Sequence, residues 1–511
     1  MNRRDFIKTA GAVTLSYSIP SQATAITSDP DDFKALVIVR LGGGNDGYNT
    51  FIPADTTTGI TTGYAQYKQM RSVRVEDVDL TPELKKYIDA NNNLTIGKVD
   101  NPYKSNGGVA GSYKKGFYFM DDTTSFNGKI GINSMMPEIA QLALDGKVAV
   151  VHNAGNLVKP ITKYDKFPPS ISAHDGGTRL MNSGQASSVS YQTGWLGRLS
   201  AVLGDVNNGS IYPLNINMSA YGMNRMMFSY DSDVMNFGMK GPTNFSFGSN
   251  RYAQGGLQDV YKDMVNNYER RDMFHKLFNG LRKKSLLEIE TISDDWAKVS
   301  DAFKSLKNIY GESGVDGCFT YPSTVGDIHG QEDLLGNYKF LSSFQAAAKL
   351  VKIAKDRGLH RIVIYLSVGG WDQHSGLAYF HAKNLRGLST GIGAFMKAMR
   401  FLNLEDKVTV ANVSEFSRTL VDNGSGSDHA WGGSYFVIGG AVNGGNYGVL
   451  PDMDKNSDYF ASRGLMVPTT SFTQHFATLS KWIGATDTQL YKVFPELKNF
   501  NQIDLGYMKN S

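Results

Sequence analysis

The chain has 511 residues, 41% apolar and 20% charged, a balance that excludes a disordered polypeptide and allows either one large core or a few ordinary domains. Its formal net charge of +4 includes no strong basic block, so composition favours neither nucleic acid nor an anionic membrane surface as a partner. The lone cysteine, Cys318, excludes an intramolecular disulfide.

The first residues read MNRRDFIKTAGAVTLSYSIPSQATA. Arg3 and Arg4 precede Phe6 and Lys8, a modest apolar run follows, and Ala23-Thr24-Ala25 supplies an A-x-A cleavage pattern. This arrangement resembles a twin-arginine export signal. Residues 1–25 are therefore expected to be a removable leader, with 26–511 a single mature domain. The expected location is periplasmic or extracellular, and the twin-arginine export machinery is an expected partner. A route that carries folded cargo also suits a chain without disulfides. No later run of 18 apolar residues predicts a membrane span in the mature form.

FKALVIVRLGGGNDG (33–47) predicts a buried strand running into a tight glycine loop. TPELKKYIDANNNL predicts a short helix. SMMPEIAQLALDGKVAVVHNAGN predicts a helix over about 134–145, a glycine stop and a second buried strand, Val148–Val151. TGWLGRLSAVLG opens another helix. Residues about 205–260 are rich in Asn, Met, Gly and aromatics, with little period. Residues about 257–308 have the 3.6 period of amphipathic helices. Together, about 205–330 is expected to be an insertion or cap over the core. YKFLSSFQAAAKLVKIAKD then predicts a helix, HRIVIYLSVGGWDQHSG a strand and loop, and LSTGIGAFMKAMRFLN a helix. KVTVANVSEF and SYFVIGGAV predict strands, and TTSFTQHFATLSKWIG the last helix. The strands read as continuous apolar runs, the pattern of an α/β fold with a doubly wound, mostly parallel sheet covered on both faces.

Ligands of such sheets bind beyond the carboxyl ends of the strands. Here those ends carry Asp46 in GGNDG, His152-Asn153, Asp372-Gln373-His374, and Glu415 with Arg418; the loop beyond adds Asp428-His429. Carboxylates converging on one rim repel, and a divalent cation relieves that cost. Mixed Asp/Glu/His donors suit zinc, manganese or a similar ion, and one or two ions are expected. Plainer readings stand beside this one. Asp46 between glycines could form a turn, Glu415 could pair with Arg418, and His152 could be a satisfied core histidine.

LGGGNDGYNTFIP, GKVAVVHNAGN, TGWLGRL, GGWDQHSG, SEFSRT, SDHAWGGSYFVIGGAV and the tail through VFPELKNF resemble the bacterial family called domain of unknown function 1501. That family resembles a distant branch of the alkaline phosphatase/sulfatase superfamily. The resemblance implies an alkaline-phosphatase-like core and a metal-dependent hydrolase of phosphate or sulfate esters, with a small-molecule or glycan ester as substrate. It implies Asp46, Asp372, His374, Glu415, Asp428 and His429 as metal ligands, and Arg418 as an oxyanion clamp. His152 and His174 match family histidines that complete the site or act as acid and base. The superfamily's hydroxyl nucleophile finds its best candidate in Ser134, just before a helix, where N-capping is the simpler role; Thr50 is a weaker candidate. Cys318 lacks the Cys-x-Pro-x-Arg pattern that resembles sulfatase maturation. The alternative from a different class is a non-catalytic exported binding or envelope-assembly protein on the same fold. LGGGNDG lacks both G-x-G-x-x-G and G-K-[ST], which argues against a nucleotide site.

Overall fold

The structure, a computed structural model, describes residues 32–55, 63–77, 79–87, 116–219, 224–238, 241, 283, 287–288, 290–321 and 338–509. The expected leader and much of the expected insertion, including 242–282 and 322–337, lie outside the described residues.

The strands are β1 (Lys34–Gly42), β2 (Phe51–Pro53), β3 (Phe117–Met120), β4 (Ile130–Asn133), β5 (Val148–Gly155), β6 (Asn215–Asn217), β7 (Val234–Asn236), β8 (Arg361–Gly369), β9 (Val408–Val413), β10 (Gly433–Gly439), β11 (Gly445–Gly448), β12 (Phe460–Ala461), β13 (Leu465–Met466) and β14 (Thr470–Ser471). The helices are α1 (Gly47–Thr50), α2 (Tyr64–Met70), α3 (Thr81–Tyr87), α4 (Pro137–Leu144), α5 (His174–Ser183), α6 (Trp195–Leu203), α7 (Tyr338–Asp356), α8 (Leu377–Phe401), α9 (Phe472–Ile483) and α10 (Asp487–Val493).

Nine strands form the central sheet in the order β11-β5-β10-β9-β1-β8-β6-β7, with β14 also paired to β5. All pairings are parallel except those of β10, which runs antiparallel to both β5 and β9. The fold is therefore α/β with a mostly parallel sheet, as the continuous apolar runs predict. Both faces are covered. Ala35, Val37, Val39 and Leu41 of β1 point into a core shared with α4, α7 and α8. Leu36 and Ile38 point into a second core shared with α5, α6, α9 and α10. This alternation follows from the two-residue period of a strand, and burial on both sides makes the strand apolar from Ala35 to Val39.

The stretch expected to form a cap contributes β6 and β7 to the central sheet, β6 pairing with β8. Within its described part, residues 291–298 are helical, and Phe303, Cys318 and Phe319 join the first core. Strand β5 runs on through His152 to Gly155, so His152 sits inside a strand and not beyond its end. A small antiparallel sheet, β2-β4-β3, lies apart from the main one. Among the described residues, no helix is long and apolar enough to cross a membrane.

Candidate metal centre

Neighbouring parallel strands β9, β1 and β8 end side by side, so the segments that leave them share one rim. After β1 the chain turns through Gly43 and Gly44, both at positive φ (124° and 87°). A side chain on Gly43 would place its Cβ 2.5 Å from the backbone nitrogen of Asp372, so only glycine lets these two strand exits touch. Buried Arg418 fastens the exits together. Its Nε donates to Gly44 O (2.9 Å), Nη1 to Ser427 O (3.0 Å), and Nη2 to Gly43 O (2.5 Å), Trp371 O (3.1 Å) and Asp372 Oδ1 (2.5 Å).

The glycine-rich loop after β9 folds back on itself. Thr419 N donates to Asp428 O (2.9 Å) and Ala430 N to Ser417 O (2.9 Å), which brings His429 opposite Arg418. Asn423 Nδ2 donates to His374 O (3.0 Å) and Ser427 N to Gln373 O (3.2 Å), tying this loop to the one after β8. Helix α5 delivers His174 at its first turn.

Three imidazoles and one carboxylate meet there. His174 Nε2 lies 3.2 Å from Asp372 Oδ2; His374 Nε2 and His429 Nε2 each lie 3.2 Å from Asp372 Oδ1 and 3.0 Å from each other. The ligand atoms of His174, Asp372 and His429 all fall within 4.8 Å of one another. Each opposite ring nitrogen faces an outer oxygen. His174 Nδ1 lies 3.3 Å from Glu415 Oε1, His374 Nδ1 3.2 Å from Asp428 Oδ1, and His429 Nδ1 2.9 Å from Ser172 O. These outer oxygens only accept, so they suit a proton on Nδ1, the tautomer that ligation through Nε2 requires. Each neutral ring then turns its Nε2 lone pair on the same carboxylate. Apart from Arg418 Nη2, which donates to Asp372 Oδ1, nothing among the described residues donates to these lone pairs; a cation among them converts their repulsion into coordination. Imidazole and carboxylate donors are those that zinc and manganese take, so His174, Asp372 and His429 fit such an ion, with His374 Nε2 beside them.

The electrostatics agree. Burial pushes the Asp372 carboxyl up, but the Arg418 guanidinium and His429 outweigh it and hold it at about 2. Burial likewise works against Asp428, which His374 and Arg463 keep below the usual carboxylate range. Burial lowers His429, favouring the neutral ring that a ligand requires.

The structure thus gathers His174, Asp372, His374, Glu415, Arg418, Asp428 and His429. It places four other sequence candidates, Asp46, His152, Ser134 and Thr50, elsewhere. Asp46 is fully buried as the cap of α1, with Arg71 Nη1 2.9 Å from its Oδ1 and 2.8 Å from its Oδ2, and Asn49 Nδ2 donating to Oδ2. His152 is buried between Ser434 Oγ (3.1 Å) and Asn446 Oδ1 (2.8 Å), and burial lowers it to about 4. Ser134 is buried between β4 and α4, two residues before the cap residue Met136, so it does not cap that helix. Thr50 Oγ1 donates to Asp46 O (2.7 Å) beside the buried His381 and Asn45 pair. Cys318 is buried, its thiol pushed up to about 12, which makes it inert. Arg418 is wholly enclosed, its hydrogen bonds directed at the protein's own loops.

Two arginines at the site were not singled out by sequence. Arg40 Nη2 donates to Thr178 Oγ1 (3.0 Å) and lies 3.5 Å from Glu415 Oε1. Arg463, held at a φ of 57°, pairs with Asp428 from a side chain that is 53% exposed. Arg40 has a sequence signal, a charge interrupting ALVIVRL; Arg463 has none nearby.

No curated protein matches this chain. Among solved structures it is similar to Ps i-CgsB in complex with k-i-k-neocarrahexaose, at 11% identity, covering 92% of this chain and 77% of that one, with a TM-score of 0.33. It is also similar to the phosphonate monoester hydrolase SpPMH from Silicibacter pomeroyi, at 11% identity, covering 68% of each chain, with a TM-score of 0.27. Likeness this distant assigns no activity. Residues 336–480, which carry Asp372, His374, Glu415, Arg418, Asp428 and His429, match the family described as Protein of unknown function (DUF1501).

Proposed function

We propose that the protein is a metal-dependent hydrolase of phosphate or sulfate esters on an alkaline phosphatase/sulfatase-like core, acting outside the cytoplasm after twin-arginine export. The observation that carries this reading is the meeting of three Nε2 atoms on Asp372, each 3.2 Å from a carboxylate oxygen. His174, His374, His429 and Asp372 would hold a zinc or manganese ion. When bound, such an ion supplies Lewis acidity toward an oxygen of the ester. The chain's own groups do the rest. Asp372 and the rings bring the site together at a rim open to solvent, where Asp372 is 44% exposed. Arg40 and Arg463 add positive charge beside the site, which favours an anionic ester over a neutral one. A small-molecule or glycan ester fits an open rim. Arg418 positions Asp372 and the loops in this reading and does not clamp substrate. With Thr50 turned to Asp46 and Ser134 set between β4 and α4, water is the attacking group.

Protein purified without chelator is expected to contain stoichiometric transition metal and to hydrolyse aryl phosphates or sulfates. Asp372→Ala is expected to lose the metal and, on the order of 100-fold or more, the activity. Wild-type protein with neither metal nor turnover would overturn the reading and leave the non-catalytic binding protein in its place.

A further inference from the structure

We propose that Glu415 and Asp428 are positioning residues, each fixing one imidazole through Nδ1, and that ligation rests on His174, His374, His429 and Asp372. The inference rests on the metal-dependent reading above. It differs from the ligand roles that the family resemblance implies for these two carboxylates.

Asp428 has both oxygens occupied. Oδ1 faces His374 Nδ1 at 3.2 Å, and Oδ2 is taken by the Arg463 guanidinium. Its backbone is fixed from both sides by Thr419, whose N donates to Asp428 O and whose Oγ1 accepts from Asp428 N at 3.1 Å. Glu415 Oε1 is shared among Gly43 N (2.8 Å), His174 Nδ1 (3.3 Å) and Arg40 Nη2 (3.5 Å). Ser172 O does for His429 what the carboxylates do for the other two rings. Three rings, three outer oxygens and three inward Nε2 atoms make one repeated device. An outer acceptor on Nδ1–H sets the tautomer, locks the ring plane and makes Nε2 a better donor to a cation.

One atom argues the other way. Glu415 Oε2 is buried and has no hydrogen-bond partner among the described residues. A free carboxylate oxygen is what an additional ligand would offer. The same is true, however, of the buried Tyr435 hydroxyl, which also has no partner and which senses the Glu415 charge. Oε2 is buried and stays out of the coordination sphere.

The test is metal binding in the full chain, by zinc titration against a competing chelator and by X-ray absorption at saturation. Glu415→Ala and Asp428→Ala are expected to weaken binding roughly 10–100-fold with zinc per chain unchanged. Glu415→Gln and Asp428→Asn keep a carbonyl acceptor for Nδ1–H, and are expected to recover to within a few-fold of wild type. The absorption spectrum should keep its full set of imidazole and carboxylate donors in both amides. Loss of a zinc equivalent, or of a carboxylate oxygen from the inner sphere, in Glu415→Gln or Asp428→Asn overturns the proposal. Asp428 stands on the exposed rim and gives the test without a buried substitution. If wild type binds no metal, the functional reading itself falls; if wild type binds metal and hydrolyses esters while an amide variant loses an equivalent, this inference alone falls.

Discussion

Three histidines of this chain are distinguished by which ring nitrogen faces inward, and sequence does not carry that information. Residue types at strand ends pointed to His374, His429 and Asp372, because carboxylates and imidazoles in glycine-rich exits are costly without a partner. The Nδ1 contacts have no sequence signal, since Ser172 and Glu415 are remote along the chain from the rings they hold. Asp46 shows the reverse. Its place beyond β1 reads as a ligand, yet Arg71, on a segment with no obvious link to it, meets both its oxygens. Burial raises Asp46 and Arg71 more than compensates, so the carboxylate stays ionised. Asp46→Ala would strand a buried guanidinium. Denaturant unfolding is expected to show a loss of roughly 3–5 kcal/mol, with metal per folded chain unchanged. Loss of metal at unchanged stability would make Asp46 a ligand instead.

At the scale of elements, the buried parallel strands were legible because burial on both faces leaves predominantly apolar runs in β1, β5, β8 and β9. Strand β10 is equally buried, so its composition hides its direction. Its antiparallel course follows from the connection: 414–432 holds no helix, and a parallel return needs a crossover. The β2-β4-β3 sheet went unread because its strands are only three or four residues long. The loops of the site depend on close approach. A Cβ on Gly426 would sit 2.3 Å from the His374 carbonyl carbon. Gly426→Ala is therefore expected to push the Asp372–His374 loop outward. Zinc affinity should fall at least tenfold, while the thermal midpoint moves by only a few degrees. Unaltered affinity would show that the two loops need not touch.

Across the whole molecule, two cores flank one sheet, and each element that carries a site residue is anchored in them. The same burial encloses histidines that play no part in the rim. Burial lowers His152 to about 4 and His475 to about 3. In the unfolded chain both protonate near 6.5. As pH falls below that value the unfolded state takes up protons first, so stability declines until the folded-state values are passed. Above it, neither histidine contributes. His152 alone accounts for about 3 kcal/mol over that range. Unfolding free energy is expected to be flat in these two groups above pH 7 and to fall steeply from pH 6.5 toward 4. His152→Gln should flatten part of that fall, and an unchanged slope would contradict the assignment.

The most direct measurement is X-ray absorption, with elemental analysis, on full-length protein expressed and purified without chelator or added metal. The account predicts a stoichiometric first-row transition ion whose inner sphere contains three imidazole nitrogens and carboxylate oxygen. Protein free of such an ion after that preparation, or an ion bound without histidine, would contradict it.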